Sequence, residues 1–307
     1  MADPALSTGQ YSIGRDGGPG FVFGRGANSI QIQNTATDTG TPAVQDQAVV
    51  GHDGMLFGID TLPGMVITQI GFAYTSPAQG SAAMDAYSSL AGWWNDPTIR
   101  LTDGAVQVFR AYYPGSSVVR RCYGRGRKIV PVMGQVFMGV VPFTSQFQCA
   151  DNTWYSDTLQ SVNMTTRPSY YGTFTPPVTP PYQLSAVLSY QDAIVNIGTL
   201  PTWPVITIHG PISYPGYQVV NTQIGIEYLA NMSASDTLVI DTRPWARTAM
   251  LNGNTSVAGL LTGSAMIALQ AQPGATRVRL LGQDKTGTAT MTVSWRSATL
   301  AIGGTVI

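Results

Sequence analysis

The chain has 307 residues, 44% of them hydrophobic and only 10% charged, with a formal net charge of zero. Soluble domains ordinarily carry roughly 25% charged residues, and net charge is what keeps them apart. So low a charge points to a surface meant to be covered by other subunits, the plainer alternative being a weakly charged, Ser/Thr-rich β protein. No apolar run approaches the roughly 18 residues that would span a bilayer. The N-terminus, MADPALSTGQ, has neither a basic region nor an apolar core, so a soluble chain made in the cytoplasm is expected.

Glu227 is the only glutamate, and Lys128 and Lys285 are the only lysines. Arg is favoured at ordered interfaces and Lys in solvent, although a GC-rich coding genome gives the same bias. Two cysteines, Cys122 and Cys149, make no disulfide framework for this length, and pairing between them stays open. They and the two histidines, His52 and His209, lack the short spacings of zinc sites, so no metal or other cofactor is expected.

In chain order, MVITQIGFAY places Val66, Thr68, Ile70, Phe72 and Tyr74 on one face of a strand, in a run that reads as burying that one face. SPAQGSAAMDAYSSLAGWWND breaks this period. It has few β-branched residues, and Met84, Tyr87, Leu90 and Ala91 recur at helical spacing. A helix is predicted over Ala82–Trp93, stopped by Asn95-Asp96-Pro97. AVQVFRAYY then alternates again. VVRRCYGRGRKIV brings together Arg120, Arg121, Arg125, Arg127 and Lys128, which reads as a hairpin turning at Gly124-Arg125-Gly126 with its cations on the exposed face. Those cations suit either phosphate contacts beside Tyr112, Tyr113 and Tyr123, or aspartates of a neighbouring subunit; without net positive charge elsewhere the hairpin reading is preferred.

The Pro-rich stretch TTRPSYYGTFTPPVTPPYQLS, with Pro176-Pro177 and Pro180-Pro181, favours extended polyproline geometry and cannot donate to a ladder. It divides the chain into an N-terminal β domain with one helix (1–165), a linker (166–183) and an all-β C-terminal domain (184–307). In the last, Val278 and Leu280 alternate with Arg277 and Arg279, and Met291, Val293 and Trp295 with Thr290, Thr292, Ser294 and Arg296. The fold class is all-β and mainly antiparallel.

Catalysis finds little footing. Glycoside hydrolysis needs two carboxylates a few ångströms apart, and the candidates are Asp151 with Asp157 or Asp236 with Asp241. Both sets read more naturally as turn residues. His52 and His209 sit in turns, and neither a GxSxG elbow nor a phosphate loop is present. Exposed aromatics at Trp93-Trp94, Trp154-Tyr155 and Tyr170-Tyr171 keep a carbohydrate-binding module open, against core or interface packing. In VIDTRPWARTAMLNGNTS, Asp241 and Arg243 share a strand face at i and i+2. Together with Trp245 and Arg247 they are expected to fix the turn from Pro244 to Gly253.

NIGTLPTWPVITIHGP supplies Gly198, Trp203, Pro204, Ile206, Ile208, Gly210 and Pro211; Asp241, Thr242, Arg243, Pro244 and then Leu251, Asn252 and Gly253 follow. This pattern resembles the C-terminal half of the distal tail proteins of long-tailed phages, the actinobacteriophage minor tail protein branch in particular. RRCYGRGRKIV with QFQCADNTWYSD is similar to that family's basic hairpin and Asp-Pro-x-Tyr closing strand, with Asn152 replacing Pro and Tyr155 one residue later. The resemblance implies an N-terminal domain forming a ring, usually of six copies, beneath the tail tube, and an outer galectin-like β-sandwich. It implies a non-enzymatic adaptor in the virion tail tip, assembled in the host cytoplasm, joining tube to baseplate or tip hub. Its partners would be itself, the tail tube protein, the tape measure or tip hub protein and other minor tail proteins, with DNA passing through the channel and no membrane insertion. A lectin-like module at the host surface is the alternative, though the sugar-binding set of galectins cannot be placed here. The cations from Arg120 to Lys128 are the candidate subunit interface.

Overall fold

The computed structural model describes residues 3–49, 53, 55–75, 80–166 and 191–300. They form two compact units. One runs from the N-terminus to Asp157 and takes in Thr299; the other spans Thr158–Ala298. The change of unit therefore comes before the Pro-rich stretch, which lies outside the described residues from position 167 onward. A strand explains the difference. Gln160–Thr165 pairs residue for residue with Thr290–Trp295, so it belongs to the second unit, not the first.

The first unit is an antiparallel sheet with one helix. Its strands are β1 (Gln10–Gly14), β2 (Gly20–Gly24), β3 (Ile30–Asp38), the short pair β4 (Gln47–Ala48) and β5 (Met55–Leu56), β6 (Val66–Tyr74), β7 (Gln107–Ala111), β8 (Arg120–Pro131), β9 (Val140–Cys149) and β10 (Trp154–Ser156). The order across the main sheet is β2-β1-β7-β8-β9-β6-β3, with β10 also on β8. Helix α1 (Gly80–Trp94) has no β-branched residue, and it turns Ala83, Tyr87, Leu90 and Trp94 inward at helical spacing. A single helical turn, α2 (Pro97–Arg100), follows, with Asp96 accepting from Thr98 N as its cap and Pro97 in the first turn. Trp94 meets Phe23, Phe109 and Phe147 edge-on, and its Nε1 donates to Gln146 O at 3.2 Å. Burying an aromatic of this size contributes about 1.5–3 kcal/mol, so this ring anchors the helix.

Two expectations are corrected here. The basic segment is one continuous twelve-residue strand, not a hairpin. Gly124 and Gly126 do not turn the chain; they let other backbone close in. A Cβ at Gly124 would stand 2.0 Å from Gln148 O, and one at Gly126 2.3 Å from Trp94 O. On β6 the faces are reversed. Ile67, Gln69, Gly71 and Ala73 are buried, while Ile70 and Tyr74 are exposed and Phe72 is half-buried. The helix covers the face of Ile67, Gln69, Gly71 and Ala73.

The second unit is a β-sandwich. Its strands are β11 (Gln160–Thr165), β12 (Gln191–Asn196), β13 (Val205–His209), β14 (Ile212–Val219), β15 (Gly225–Tyr228), β16 (Asn231–Met232), β17 (Thr237–Asp241), β18 (Thr248–Leu251), β19 (Thr255–Ser256), β20 (Leu261–Gly263), β21 (Gly274–Gln283) and β22 (Thr290–Trp295). One sheet runs β11-β22-β13-β17-β18-β19 and the other β12-β21-β14-β15-β20, with β16 on β14. Alternate residues of both sheets share one core: Ile206, Ile208, Leu238, Ile240, Met291, Val293 and Trp295 from the first, Ile194, Tyr217, Ile226, Tyr228, Val278 and Leu280 from the second. The period-two reading holds for β21 and β22.

Candidate functional site

The five cations of β8 divide by depth. Arg120 and Arg121 are each 1% exposed, so neither faces a neighbour. The cause is position: this end of β8 lies between β7 and β10, where Arg121 stands opposite Arg110 on one side and Tyr155 on the other. Two like charges facing each other across strands repel, and Asp157 resolves this by bridging them. Its Oδ1 accepts from Arg110 Nε at 2.8 Å and Arg121 Nε at 2.9 Å, and its Oδ2 from Arg110 Nη2 at 2.6 Å. Arg121 also donates to Asp16 at 2.9 Å and Asp3 at 2.5 Å, and Arg110 to Pro4 O at 2.6 Å. Burial pushes the Asp157 carboxyl up, but the bonds from Arg110 and the charges of both arginines hold it below the usual carboxylate value.

Arg125 is likewise engaged within the unit, donating at 2.7 Å to both Ala105 O and Thr102 O. Only Arg127 and Lys128 are exposed, at the bulge where the β8–β9 register shifts. Sequence reading missed Arg110, which binds Asp157, and the aspartates that gather on Arg121. The usable signal was an Arg inside VFRAYY, flanked by apolar residues on both strand faces.

The carboxylate pairs proposed from sequence do not form pairs. Asp151 Oδ2 accepts from Tyr155 Oη, and burial pushes its carboxyl up to about 6. Asp157 serves the arginines. Asp236 accepts from Ser233 N at 2.7 Å and Asn252 Nδ2 at 2.9 Å, holding a turn. Asp241 binds Arg243 instead, with Nη2 to Oδ2 at 2.7 Å and Arg243 N to Oδ1 at 3.0 Å. Arg243 lies 5.7 Å from the Trp245 ring centre, and its carbonyl accepts from Ala246 N and Arg247 N, so the four residues share one turn. Arg247 itself is exposed, with φ of 44°. Asn252 and Gly253 follow with φ of 54° and 73°, the left-handed pair a tight hairpin needs between β18 and β19.

His209 Nδ1 meets Thr237 Oγ1 at 2.9 Å; His52 lies outside the described residues. The exposed aromatics expected from sequence are largely interior. Trp94, Trp154 and Tyr155 are buried and Trp93 is half-buried, while Tyr170 and Tyr171 lie outside the described residues. Among the described residues no three His, Cys, Asp or Glu gather as metal ligands, and no helix is long and apolar enough to cross a membrane.

No family model and no curated protein matches the chain. Solved structures do. The chain superposes on the Dit protein of phage SPP1, described as a paradigm of the hub adsorption apparatus in phages infecting Gram-positive bacteria. The TM-score is 0.56 at 13% identity, over 94% of this chain and 98% of that one. The fold is a Dit fold. A chain of the phage P2 baseplate in its activated conformation with Ca gives 0.55 at 12% identity, over 93% and 97%. The same baseplate with Sr gives 0.50 at 11%, over 93% and 97%. The resemblance carried by Gly198–Pro211 and Asp241–Gly253 thus agrees with the fold. Those motif residues help hold the sandwich of the second unit together: Thr242 Oγ1 donates to Pro204 O at 2.6 Å, and a Cβ at Gly198 would stand 1.9 Å from Ala298 O.

Within this Dit fold the most unusual surface belongs to the first unit. Register places Val130, Thr144 and Ile70 in one row across β8, β9 and β6, and Val132, Pro142 and Phe72 in the next. Tyr74 pairs with Val140 beyond them. Val130, Val132, Ile70 and Tyr74 of this outer face are exposed, and the short two-turn helix Met133–Met138 that follows β8 exposes Met133, Phe137 and Met138. Elsewhere in the unit, in and beside the separate β4–β5 pair, Met55, Leu56, Ile59 and Phe57 are also exposed, the last 84%. From residue 129 to 150 the sequence holds no charged side chain. A broad apolar face without charges is what soluble monomers avoid and interfaces use.

Proposed function

We propose that this protein is a structural component of the tail tip of a long-tailed phage, an adaptor ring joining the tail tube to the baseplate or tip hub, with no chemistry of its own. The observation that carries the reading is the apolar outer face that β6, β8 and β9 present beyond Lys128, with the exposed apolar side chains of Met55, Leu56, Phe57 and Ile59, in a chain whose fold is that of SPP1 Dit. A ring of copies, six by the family resemblance, uses head-to-tail contacts and leaves no free apolar face. The contacts on this reading are chiefly apolar, with Arg127 and Lys128 at their margin, because the remaining cations serve the unit's interior. The tail tube protein, the tape measure or tip hub protein and other minor tail proteins would stack on the ring, and DNA would pass through its channel. The virion tail tip is its place, after assembly in the host cytoplasm.

Light scattering on a size-exclusion column at two concentrations tests this. The expected result is a discrete ring-sized species, seen by electron microscopy with a central hole and broken to monomers by Ile70→Asp with Phe137→Asp. A wild-type chain that stays monomeric at every concentration would refute the ring. Binding of the monomer to host cell-wall glycans would then favour the lectin-like alternative.

A further inference from the structure

Cys122 on β8 and Cys149 on β9 are the only cysteines of the chain, and both are buried. Gly124 stands opposite Cys149 in the β8–β9 register, so Cys122 lies one diagonal step away. The strands are drawn tightly together at this point, since a Cβ on Gly124 would meet the Cys149 Cα at 2.7 Å. The two Sγ atoms come to 3.3 Å, with Cys149 donating to Cys122. A disulfide needs about 2.05 Å between sulfurs, so closure asks the two sulfurs to approach by roughly 1.2 Å. Metal ligation has no third partner here: among the described residues no three His, Cys, Asp or Glu converge.

We propose that Cys122 and Cys149 become joined by a disulfide when the chain folds in an oxidising medium, stapling β8 to β9 in the middle of the main sheet. With a small-molecule disulfide such as oxidised glutathione as oxidant, one cysteine thiolate attacks a glutathione sulfur and releases one glutathione thiol. The second thiolate attacks the protein sulfur of that mixed disulfide and releases the other. Two protein thiols are oxidised, one small disulfide is reduced, and both protons end on glutathione. Timing follows from burial. Enclosure, then the neighbouring Cys149, raises the Cys122 thiol pKa and keeps reagents out, so the folded dithiol oxidises slowly and the folded disulfide resists reduction. The bond is therefore set while the sheet is closing.

The full chain, unfolded and reduced, is refolded either in a glutathione redox buffer or in excess reductant. It is then unfolded in an alkylating agent and weighed by intact mass spectrometry. The expected oxidised product is lighter by two hydrogens and takes no alkyl group, whereas the reduced one takes two. The oxidised first unit should melt roughly 5–10 °C higher, a gain absent from Cys122→Ser. Two alkyl groups on the chain refolded with oxidised glutathione would overturn the proposal, as would persistent glutathione adducts or a disulfide between chains.

Discussion

Replacing Asp157 with Ala tests whether the buried ion network holds the first unit together. The substitution removes four hydrogen bonds, two from Arg110 and two from Arg121. The guanidiniums left behind are 7% and 1% exposed, so water cannot replace the lost carboxylate. Removing one partner of a buried ion pair costs about 3–5 kcal/mol, mostly for stranding the other charge. Arg121 keeps Asp3 and Asp16 and Asp157 is itself 22% exposed, so the lower end, about 3 kcal/mol, is expected. For a unit of this size that is about 6–12 °C in Tm. Calorimetry on the full chain should show the first-unit transition falling by that amount and the second unit's unchanged. Hydrogen exchange should localise the loss to β7 and the start of β8. The surface pair is the control: Arg15 is 51% exposed, so Arg15→Ala should cost under about 1 kcal/mol. The pH dependence follows from the sign of the shift. Asp157 titrates below its ordinary value of 3.8 when folded, so its contribution is present above that value and is lost as pH falls through the depressed one. Wild type and variant should converge in acid. A variant within 1 kcal/mol of wild type at pH 7, or a gap unchanged in acid, would refute the argument.

Asp151 gives the opposite pH sign. Its carboxyl is raised by burial to about 6, and Oδ1 is buried without a hydrogen-bond partner among the described residues. Folding therefore favours the neutral acid, and stability falls as pH rises from about 4 to above 6. Asp151→Asn should remove that fall and stabilise the unit at pH 8 by at most about 3 kcal/mol; denaturant midpoints at pH 5 and 8 check it, and an unaltered pH slope contradicts it. Gly126→Ala should cost about 1–3 kcal/mol by driving a methyl against Trp94 O and its ring, read as a red shift of tryptophan emission. Gly92→Ala, on the open side of α1, should instead gain roughly 0.5–1 kcal/mol.

What the sequence made legible is local. Met291, Val293 and Trp295 alternate with hydroxyl residues and bury as that pattern requires, and α1 is readable because its apolar residues recur at helical spacing within a segment free of β-branching. The Asp241–Arg243 pair is readable too, being two residues apart on one strand. The Arg121 network is not, because its partners lie 36 and 118 residues away and only the closed sheet brings them in. The glycines of β8 misled for a related reason: Gly marks either a turn or a close approach, and which one depends on the strand β9 beside Gly124 and the helix packed on Gly126.

The reversed face of β6 carries a broader lesson. Alternation separates two faces of a strand, but assigning one to the core assumes that the apolar face is the one the chain buries by itself. In β6 Val66, Ile70, Phe72 and Tyr74 lie opposite the helix, which takes Ile67, Gln69, Gly71 and Ala73 instead. Gly71 accounts for the helix-side choice in part: a Cβ there would stand 2.4 Å from Gln31 O, on the neighbouring strand β3. On the ring reading, the remaining apolar face is reserved for another copy. The pattern then reports burial in the assembly, and the low charge of the whole chain belongs to the same arrangement.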